Sequence, residues 1–389
     1  MILIGISLFL FLEGIIFILF LTFKKKFKWL IGSEDEIKTY DNEALKKFYN
    51  TSYDKKIGWV RKPSTSGVDK GGGKVIPFNI DEFGSRKSIL NPRDAKVVTI
   101  GDSYTFCRQV GDEQTWQNVF AQMSNESMLN YGVGNYGIDQ AIMRFENVYI
   151  PENAQYAVLG FVPETISRIQ SYWKHYLEFG NTFAFKPRYK LEDDKLVLVK
   201  QYIDEFEKYF CIKENISWIR SNDKFYQSKF LKHRFKFSYL ISFLRNLKFN
   251  SIIFYYLLAD FFVRDERIND KLFDCVVKFN LIDSQKLYLE KDSKKLLKAI
   301  LEHFVKICKL KKLKPIILVI PQLHDLRSTP MYHQEFFETL RIDSEVIDMT
   351  KIFSDSNFEE LYVDDYYGGH LSVLGNKTVG EILYKRIFL

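Results

Sequence analysis

The sequence predicts an α/β protein, a three-layer αβα sandwich built on a five-stranded parallel sheet. Short apolar runs rich in β-branched residues alternate with amphipathic helical stretches over residues 96–149, and the alternation resumes from residue 315. Strands that alternate with helices require crossover connections, which make the sheet parallel and cover both of its faces. One run, Val97–Ile100, leads directly into Gly101-Asp102-Ser103. Ligands of open α/β sheets bind beyond such strand ends.

The individual elements follow from these periodicities, and we expect the strands to be ordered as in flavodoxin-like folds. The predicted strands are Lys96–Ile100, Met128–Tyr131, Tyr156–Val162, Pro315–Ile320 and Val346–Met349. The predicted helices around them are Thr115–Met123, Asp139–Tyr149, Ser293–Lys312 and Ser372–Ile387. Thr115 and Ser372 begin their helices, where a side-chain oxygen accepts a hydrogen bond from a free backbone N–H.

Composition excludes several functional classes. Apolar residues make up 46% of the 389 residues, so the chain can bury a core and is not disordered. The four cysteines are far apart and form no Cys-x-x-Cys pair, which predicts free thiols and no zinc site. The formal charge of +7 comes mostly from dispersed lysines, and no nucleic-acid-binding motif accompanies it. We therefore expect no metal, no cofactor and no nucleic-acid partner.

The N-terminal segment Met1–Phe23 is almost entirely Ile, Leu and Phe, which is enough for one membrane-spanning helix. It exceeds the apolar core of a signal peptide and is followed by no small-residue cleavage site, so we predict an uncleaved anchor. Glu13, in its middle, costs up to about 3 kcal/mol in a bilayer. It is either protonated, shifted towards an interface, or directed at a partner helix. A basic cluster, Lys24–Lys26 with Lys28, follows the segment.

Residues 24–90 form a polar juxtamembrane extension. Its Gly71-Gly72-Gly73-Lys74 run resembles half of a phosphate-binding loop, but the spaced first glycine is missing and Val75 stands where Ser or Thr would bind magnesium. This run predicts a turn between two short strands, and it argues against a flavodoxin-like nucleotide binder.

A helical insertion, residues 171–312, is predicted between the two halves of the α/β domain, residues 91–170 and 313–389. Within it, Tyr239–Phe262 is dense in aromatic residues with basic edges. Such a segment is typical either of a packed core or of a helix on a membrane surface. Residues near Lys186–Lys200 are predicted to be a loose loop, and the insertion is expected to cover the carboxyl edge of the sheet.

A serine hydroxyl becomes a nucleophile when a base takes its proton, and histidine serves best near neutral pH. Among six histidines, His370 is the strongest candidate base. It follows two glycines and directly precedes the last helix, so the backbone can bend and the helix supplies a rigid support. His324 and His333 are weaker alternatives in the loop after the fourth strand. The remaining three lie in helical stretches typical of packing or surface roles.

Three segments of the sequence resemble the motif blocks of the SGNH, or GDSL-type, hydrolases and acyltransferases. The resemblance covers Lys96–Arg168 and Pro315–Leu389, is loose over Trp59–Ala95, and omits the insertion. Gly101-Asp102-Ser103 is similar to the first block, with Ser103 as nucleophile. The segment Asn130–Gln140 is similar to the second block, and Gly368–Asn376 to the last, with His370 as general base. The resemblance implies an acyl-enzyme on Ser103.

The oxyanion hole departs from the family pattern. The family commonly has a glycine in the second block where this chain has Asn135, preceded by Gly134, and its third-block asparagine is absent from Gly160–Glu164. We hypothesise that the Asn135 side chain replaces the missing donor, beside the backbone N–H groups of Ser103 and Asn135. The alternative is that Asn135 only caps a turn.

The acidic residue that would orient the His370 ring also differs from the family pattern. The family usually places an aspartate three residues before the histidine, and that position is Tyr367 here. Asp365 is the favoured replacement, Asp364 the alternative, and a Ser–His dyad the fallback. Asp102, Arg168 and Tyr367 are candidate substrate-contacting residues, although Arg168 equally suits a salt bridge.

The predicted function is hydrolysis of an acyl ester or transfer of its acyl group. The resemblance is greatest to membrane-anchored bacterial members associated with surface polysaccharides, which implies O-acetyl groups of a glycan or a lipid-linked sugar as substrate. The competing interpretation is a degenerate SGNH-like domain that acts as a membrane-bound binding or assembly factor. The lysines after the anchor favour a cytoplasmic catalytic domain, whereas the relatives implied by the resemblance face outward.

Overall fold

The computed structural model describes residues 2–37, 40–71, 73–327, 331–363 and 369–389. The chain divides into two compact units. The first contains Met1–Gly58, Gln170–Pro187 and Lys200–Phe279, and the second contains Trp59–Ile169, Arg188–Val199 and Asn280–Leu389. Residues 171–312, predicted as one insertion, therefore contribute to both units.

The second unit is built on a five-stranded parallel sheet, as predicted. Its strands are β1 (Val97–Gly101), β2 (Met128–Asn130), β3 (Tyr156–Phe161), β4 (Lys314–Val319) and β5 (Glu345–Asp348). Their order across the sheet is β2-β1-β3-β4-β5, with every neighbouring pair parallel. This is the flavodoxin-like order, and it places β1 in the sheet interior with β2 and β3 on either side.

Helices flank the sheet and bury both of its faces. On one face Val97, Ile316 and Leu318 belong to a core cluster that includes Trp116, Phe120 and Val379 from two helices. Every residue of β1 is buried, so its alternate side chains are covered on the other face as well. The helices of this unit are Ser103–Phe106, Trp116–Ser124, Ile138–Phe145, Thr165–Arg168, Lys291–Leu310, Leu323–Arg327, Tyr332–Thr339, Met349–Ser354 and Val373–Phe388.

Two predicted helix starts are confirmed at the level of single hydrogen bonds. The Thr115 hydroxyl accepts from the N–H of Asn118 at 3.3 Å, and the Ser372 hydroxyl accepts from the N–H of Gly375 at 3.2 Å. Ser372 thus fixes the first turn of the C-terminal helix, directly after the loop that carries His370.

Two antiparallel hairpins complete the second unit. Ser66–Gly71 pairs with Lys74–Asn79, which agrees with the turn predicted there. The prediction of a loose loop over Lys186–Lys200 is wrong, because Arg188–Glu192 pairs with Lys195–Val199. The two residues between those strands, Asp193 and Asp194, have φ of 47° and 64°. Two successive left-handed residues form the tight turn that matches strand twist, and aspartate tolerates this conformation.

The first unit is mainly helical. Its helices are Ile2–Lys24, Asn42–Thr51, Lys174–Leu177, Ile216–Ser221, Leu231–His233, Tyr239–Arg245 and Leu247–Val263, and Glu266–Leu287 continues from it into the second unit. A short strand, Tyr53–Asp54, pairs with Gly58–Trp59. Within the described residues, Ile2–Lys24 is the helix long and apolar enough to cross a membrane.

Candidate active site

Ser103 lies where β1 ends, at the first position of the short helix Ser103–Phe106. Asp102 is the N-cap of that helix, and its carboxylate accepts a hydrogen bond from the N–H of Tyr104 at 2.9 Å. The preceding residue must be glycine, because a Cβ on Gly101 would lie 1.8 Å from the carbonyl oxygen of Gly160 in β3. This close strand-to-helix turn presents the Ser103 hydroxyl at the carboxyl edge of the sheet.

The structure brings Ser103 and His370 together, although they are 267 residues apart in the chain. The His370 Nε2 atom lies 3.0 Å from the Ser103 Oγ atom, which is hydrogen-bond distance for a nucleophile and its base. The backbone carbonyl of His370 accepts from the N–H of Val363 at 2.9 Å. His370 is therefore held between that contact and the helix capped by Ser372.

Tyr104, which the sequence did not single out, fixes the histidine from the nucleophile side. Its ring stacks on the His370 ring with centroids 4.8 Å apart, and its hydroxyl donates to the carbonyl of Gly369. Because Tyr104 directly follows Ser103, one side chain couples the two catalytic candidates. Its position next to the Gly-Asp-Ser run is the only signal in the sequence that points to it.

His370 is buried in a positively charged setting. Burial lowers the pKa of His370 to about 3, and the nearby cations Arg108 and Arg168 add to this effect. The neutral imidazole therefore dominates at neutral pH, which is the form that accepts a proton from serine. With its own proton on Nδ1, the ring leaves Nε2 as the acceptor for the Ser103 hydroxyl.

The Nδ1 atom of His370 is buried and, within the described parts of the chain, has no hydrogen-bond partner. A buried N–H without an acceptor costs about 1–3 kcal/mol. The predicted orienting residues, Asp365 and Asp364, and the candidate substrate residue Tyr367 lie outside the described residues.

The loop Gly132–Gly137 lies against the helix Ser103–Phe106. A Cβ on Gly132 would lie 2.2 Å from the backbone nitrogen of Phe106, and the N–H of Val133 donates to the carbonyl of Gly101 at 3.0 Å. The Gly134 carbonyl accepts from the Trp59 indole at 3.1 Å. Asn135 sits in a turn with φ of 67°, a left-handed conformation that asparagine tolerates.

Asp102 and Arg168, both candidates for substrate contact, are bonded to each other inside the protein. The Arg168 guanidinium lies 3.4 Å from the Asp102 carboxylate and 2.5 Å from that of Glu164. The N–H of Val162 also donates to Asp102, at 3.0 Å. Burial raises the pKa of Asp102, and the charge of Arg168 opposes that rise. The residues after β3 thus support the turn that carries Ser103.

Arg86 is a second residue that sequence reasoning missed. Its buried guanidinium donates to three backbone carbonyls, those of Phe106 and Cys107 at 2.7 Å each and Val110 at 2.6 Å. Its Nε atom donates to the Asp112 carboxylate at 2.8 Å. These bonds fix residues 106–110, at and after the end of the helix Ser103–Phe106. An arginine between Ser85 and Lys87 carries no pattern that reveals such partners.

The alternative histidines, His324 and His333, are both buried. His333 is buried, with Nε2 3.1 Å from the Thr350 hydroxyl and Nδ1 2.9 Å from the Gln285 amide nitrogen. Burial lowers the pKa of His333 to about 3. Among the residues that the structure describes, no group of three or more His, Cys, Asp or Glu side chains is placed to hold a metal ion.

Comparisons with known proteins show a distant likeness to solved structures. No protein-family model matches the chain, and no curated protein matches it. A search of solved structures finds a protein assigned to the G-D-S-L family of lipolytic proteins, from Desulfitobacterium hafniense DCB-2. The match covers 75% of this chain and 98% of that chain, with 13% identity and a TM-score of 0.34. At this identity and TM-score the likeness supports no conclusion about the function of this chain.

Proposed function

We propose that the protein is a membrane-anchored serine acyl-ester hydrolase or O-acyltransferase that forms its acyl-enzyme on Ser103. The observation that carries the proposal is the 3.0 Å contact between Ser103 Oγ and His370 Nε2, at the carboxyl edge of a parallel sheet. A neutral buried imidazole beside a serine hydroxyl, and supported by its neighbours, is the arrangement that activates serine for attack on a carbonyl carbon.

The reaction proceeds in two half-reactions. His370 accepts the Ser103 proton on Nε2 while the oxygen attacks the ester carbonyl, and the proton then passes to the departing alkoxide. Water or a sugar hydroxyl next gives its proton to His370 and attacks the acyl-serine. The bond between the acyl carbon and Ser103 Oγ breaks, His370 returns the proton to that oxygen, and the acid or the new ester is released. The N–H of Ser103, at the first position of its helix, has no partner within that helix. It is proposed to bind the oxyanion together with Asn135.

The proposed substrate is one that a protein anchored in a membrane can reach. The helix Ile2–Lys24 is long and apolar enough to cross a bilayer, and the aromatic first unit suits contact with lipid. The family resemblance implies a glycan bearing O-acetyl groups, or a lipid-linked sugar, and this is the proposed substrate, with no cofactor.

Reaction with a fluorophosphonate probe tests the proposal, because the probe modifies only an activated serine. The full-length protein in detergent is expected to be labelled, and Ser103→Ala is expected to abolish the signal. Ser85→Ala, at another buried serine of the same unit, is the matched control and should retain it. A wild-type protein that is folded yet unlabelled would overturn the proposal and favour the binding or assembly factor.

Asp365 is proposed to accept the proton of His370 Nδ1, and its removal should change the pH profile as well as the rate. A carboxylate partner raises the pKa of a histidine, whereas burial, Arg108 and Arg168 lower the pKa of His370 to about 3. Asp365→Ala should therefore lower kcat by about 10²–10⁴-fold. Because the base acts deprotonated, it should also shift the acid limb of kcat/KM to lower pH.

Asp364→Ala provides the control for this prediction and should keep both the rate and the acid limb of the wild type. The reverse outcome would assign the role to Asp364. Unchanged kinetics in both variants would leave a Ser–His dyad.

A further inference from the structure

The first unit exposes large apolar side chains beside the N-terminal helix. Phe237, Ile241 and Leu244 are 82%, 53% and 52% exposed. Ile241 and Leu244 lie one turn apart on the helix Tyr239–Arg245, and Phe237 lies two residues before that helix begins. Phe262 and Val263, at the end of the next helix, are 77% and 66% exposed. A concentration of exposed apolar side chains in one segment indicates contact with an apolar phase or partner.

The same segment packs against the second half of the N-terminal helix. The rings of Phe17 and Phe20 lie 4.9 and 5.5 Å from that of Tyr239. One turn further along, the Phe23 ring lies 6.2 Å from that of Phe261. Residues 2–12 of the N-terminal helix are exposed throughout. Exposed apolar side chains therefore lie both on the N-terminal helix and on the segment 237–263 that packs against it.

Glu13 fixes where the two elements meet. Its carboxylate accepts from the Ser238 hydroxyl and from the N–H groups of Tyr239 at 2.7 Å and Leu240 at 2.8 Å. The N-terminal helix has 23 residues, which corresponds to about 34 Å against a hydrocarbon thickness of about 30 Å. Glu13 lies about 16 Å from Lys24 along the axis. If the helix spans a bilayer, the Ser238 turn lies near its midplane.

The backbone N–H groups at the start of the helix Tyr239–Arg245 are bonded to protein acceptors. The first N–H groups of a helix have no intrahelical partner. In Tyr239–Arg245 the first two bind Glu13, the N–H of Ile241 donates to the Ser238 hydroxyl at 3.4 Å, and that of Ser242 donates to the Ser238 carbonyl at 3.0 Å. At the other end, the Asn250 amide donates to the carbonyl of Phe243 at 2.8 Å. Non-helical backbone is tolerated at membrane depth only when such groups are paired.

We propose that residues 237–244 form a re-entrant element embedded in the same lipid bilayer as the N-terminal helix, held near mid-depth by Glu13. Arg245, which ends the short helix, is exposed, and its long side chain extends towards the lipid–water interface. The helix Leu247–Val263 then lies at the lipid–water interface. Lys26 Nζ lies 5.2 Å from the Phe261 ring centroid, which places the end of that helix beside the basic cluster after the anchor. Basic residues at that level face lipid headgroups. The inference rests on the proposed membrane anchoring and not on the chemistry at Ser103.

This element assigns Glu13 a role that the sequence left open. The carboxylate is not a free charge in the hydrocarbon, because it completes the start of a neighbouring helix. The aromatic stretch 239–262 likewise combines both of its sequence interpretations. One face, with Phe249, Phe254 and Leu257, is buried, and the other is exposed for lipid.

Depth-dependent quenching tests the inference in the full chain. One cysteine at a time is added at Ile241, Leu10 or Leu289 and labelled with the fluorophore NBD. The background is Cys211→Ser, Cys275→Ser, which retains the buried Cys107 and Cys308, and the protein is reconstituted in phosphatidylcholine–phosphatidylglycerol vesicles. The background without an added cysteine is the blank. The label at 241 should be quenched by acyl-chain spin labels as strongly as that at 10, and should resist dithionite. The label at 289, in the second unit, should react with dithionite.

The outcomes separate the re-entrant element from the anchor. Dithionite access at 241 with protection at 10 overturns the re-entrant element and leaves the anchor intact. Access at both positions overturns both. Glu13→Leu makes the N-terminal helix more apolar but removes the acceptor, so the label at 241 should become shallower while that at 10 stays deep. Glu13→Gln, which retains an acceptor oxygen, should behave more like the wild type. An unchanged depth in Glu13→Leu would show that Glu13 does not hold the element.

Discussion

Replacing Ser103 or His370 by alanine is expected to lower the turnover of a small acyl ester by at least about 10⁴-fold. Without His370 the Ser103 hydroxyl loses the base 3.0 Å away, and without Ser103 no acyl-enzyme forms. The measurement is kcat for p-nitrophenyl acetate with the purified full-length protein in detergent, with circular dichroism to confirm that each variant is folded.

The double variant should be no slower than the slower single variant, because the two residues act in one step and their effects are not additive. His303→Ala is the matched control. This histidine is half-buried, with Glu146 3.8 Å away, and its loss should leave turnover near that of the wild type. Turnover retained by His370→Ala would mean that another group serves as base.

The fold was predictable because its signals are local. Four of the five strands are mainly apolar, whereas β5 has a charged residue at each end. β1 is buried along its whole length, so its continuous apolar run indicates burial on both faces. The caps Thr115 and Ser372 act on N–H groups within three residues. The hairpin at Asp193-Asp194 was missed because its strands, Arg188–Glu192 and Lys195–Val199, are largely half-exposed. Their alternation is correspondingly weak.

The residues of the candidate site also differ in whether the local sequence indicates them. Ser103 and His370 carry recognisable neighbours in the chain, Gly-Asp before one and Gly-Gly before the other, so the sequence reveals the pair despite its separation. Tyr104 and Arg86 act instead on backbone carbonyls. A carbonyl belongs to every residue, so no side-chain pattern records which one is bound. Arg168 was assigned two roles from sequence because only the structure shows Asp102 and Glu164 beside it.

Arg86→Met is expected to lower the free energy of unfolding by about 3–5 kcal/mol, the usual cost of removing one partner of a buried charge pair. The Arg86 side chain is 2% exposed, and its partner Asp112 is 14% exposed. Methionine fills similar volume but donates no hydrogen bond, so the carbonyls of Phe106, Cys107 and Val110 lose their donors. Chemical denaturation followed by intrinsic fluorescence measures the change in the full-length protein.

Arg93→Met is the matched control, since Arg93 pairs with Glu82 at 3.3 Å on the surface, where the two side chains are 61% and 58% exposed. Such a pair contributes at most about 1 kcal/mol. Arg86→Lys separates charge from geometry, because one ammonium cannot reproduce the fork that bonds three carbonyls and a carboxylate. It should therefore lose most of the stability that Arg86→Met loses.

Arg86→Met should also lower turnover, whereas Arg93→Met should not. Phe106 ends the helix that Ser103 begins, and Cys107 follows with φ of 59°, so loss of the Arg86 bonds loosens the turn that aims the hydroxyl at His370. A displacement of about 1 Å at a reacting group costs about 10²-fold. Arg86→Met with wild-type stability and turnover would show that the three carbonyls find other donors. The nucleophile turn would then be held by Asp102 and its partners Val162 and Arg168 alone.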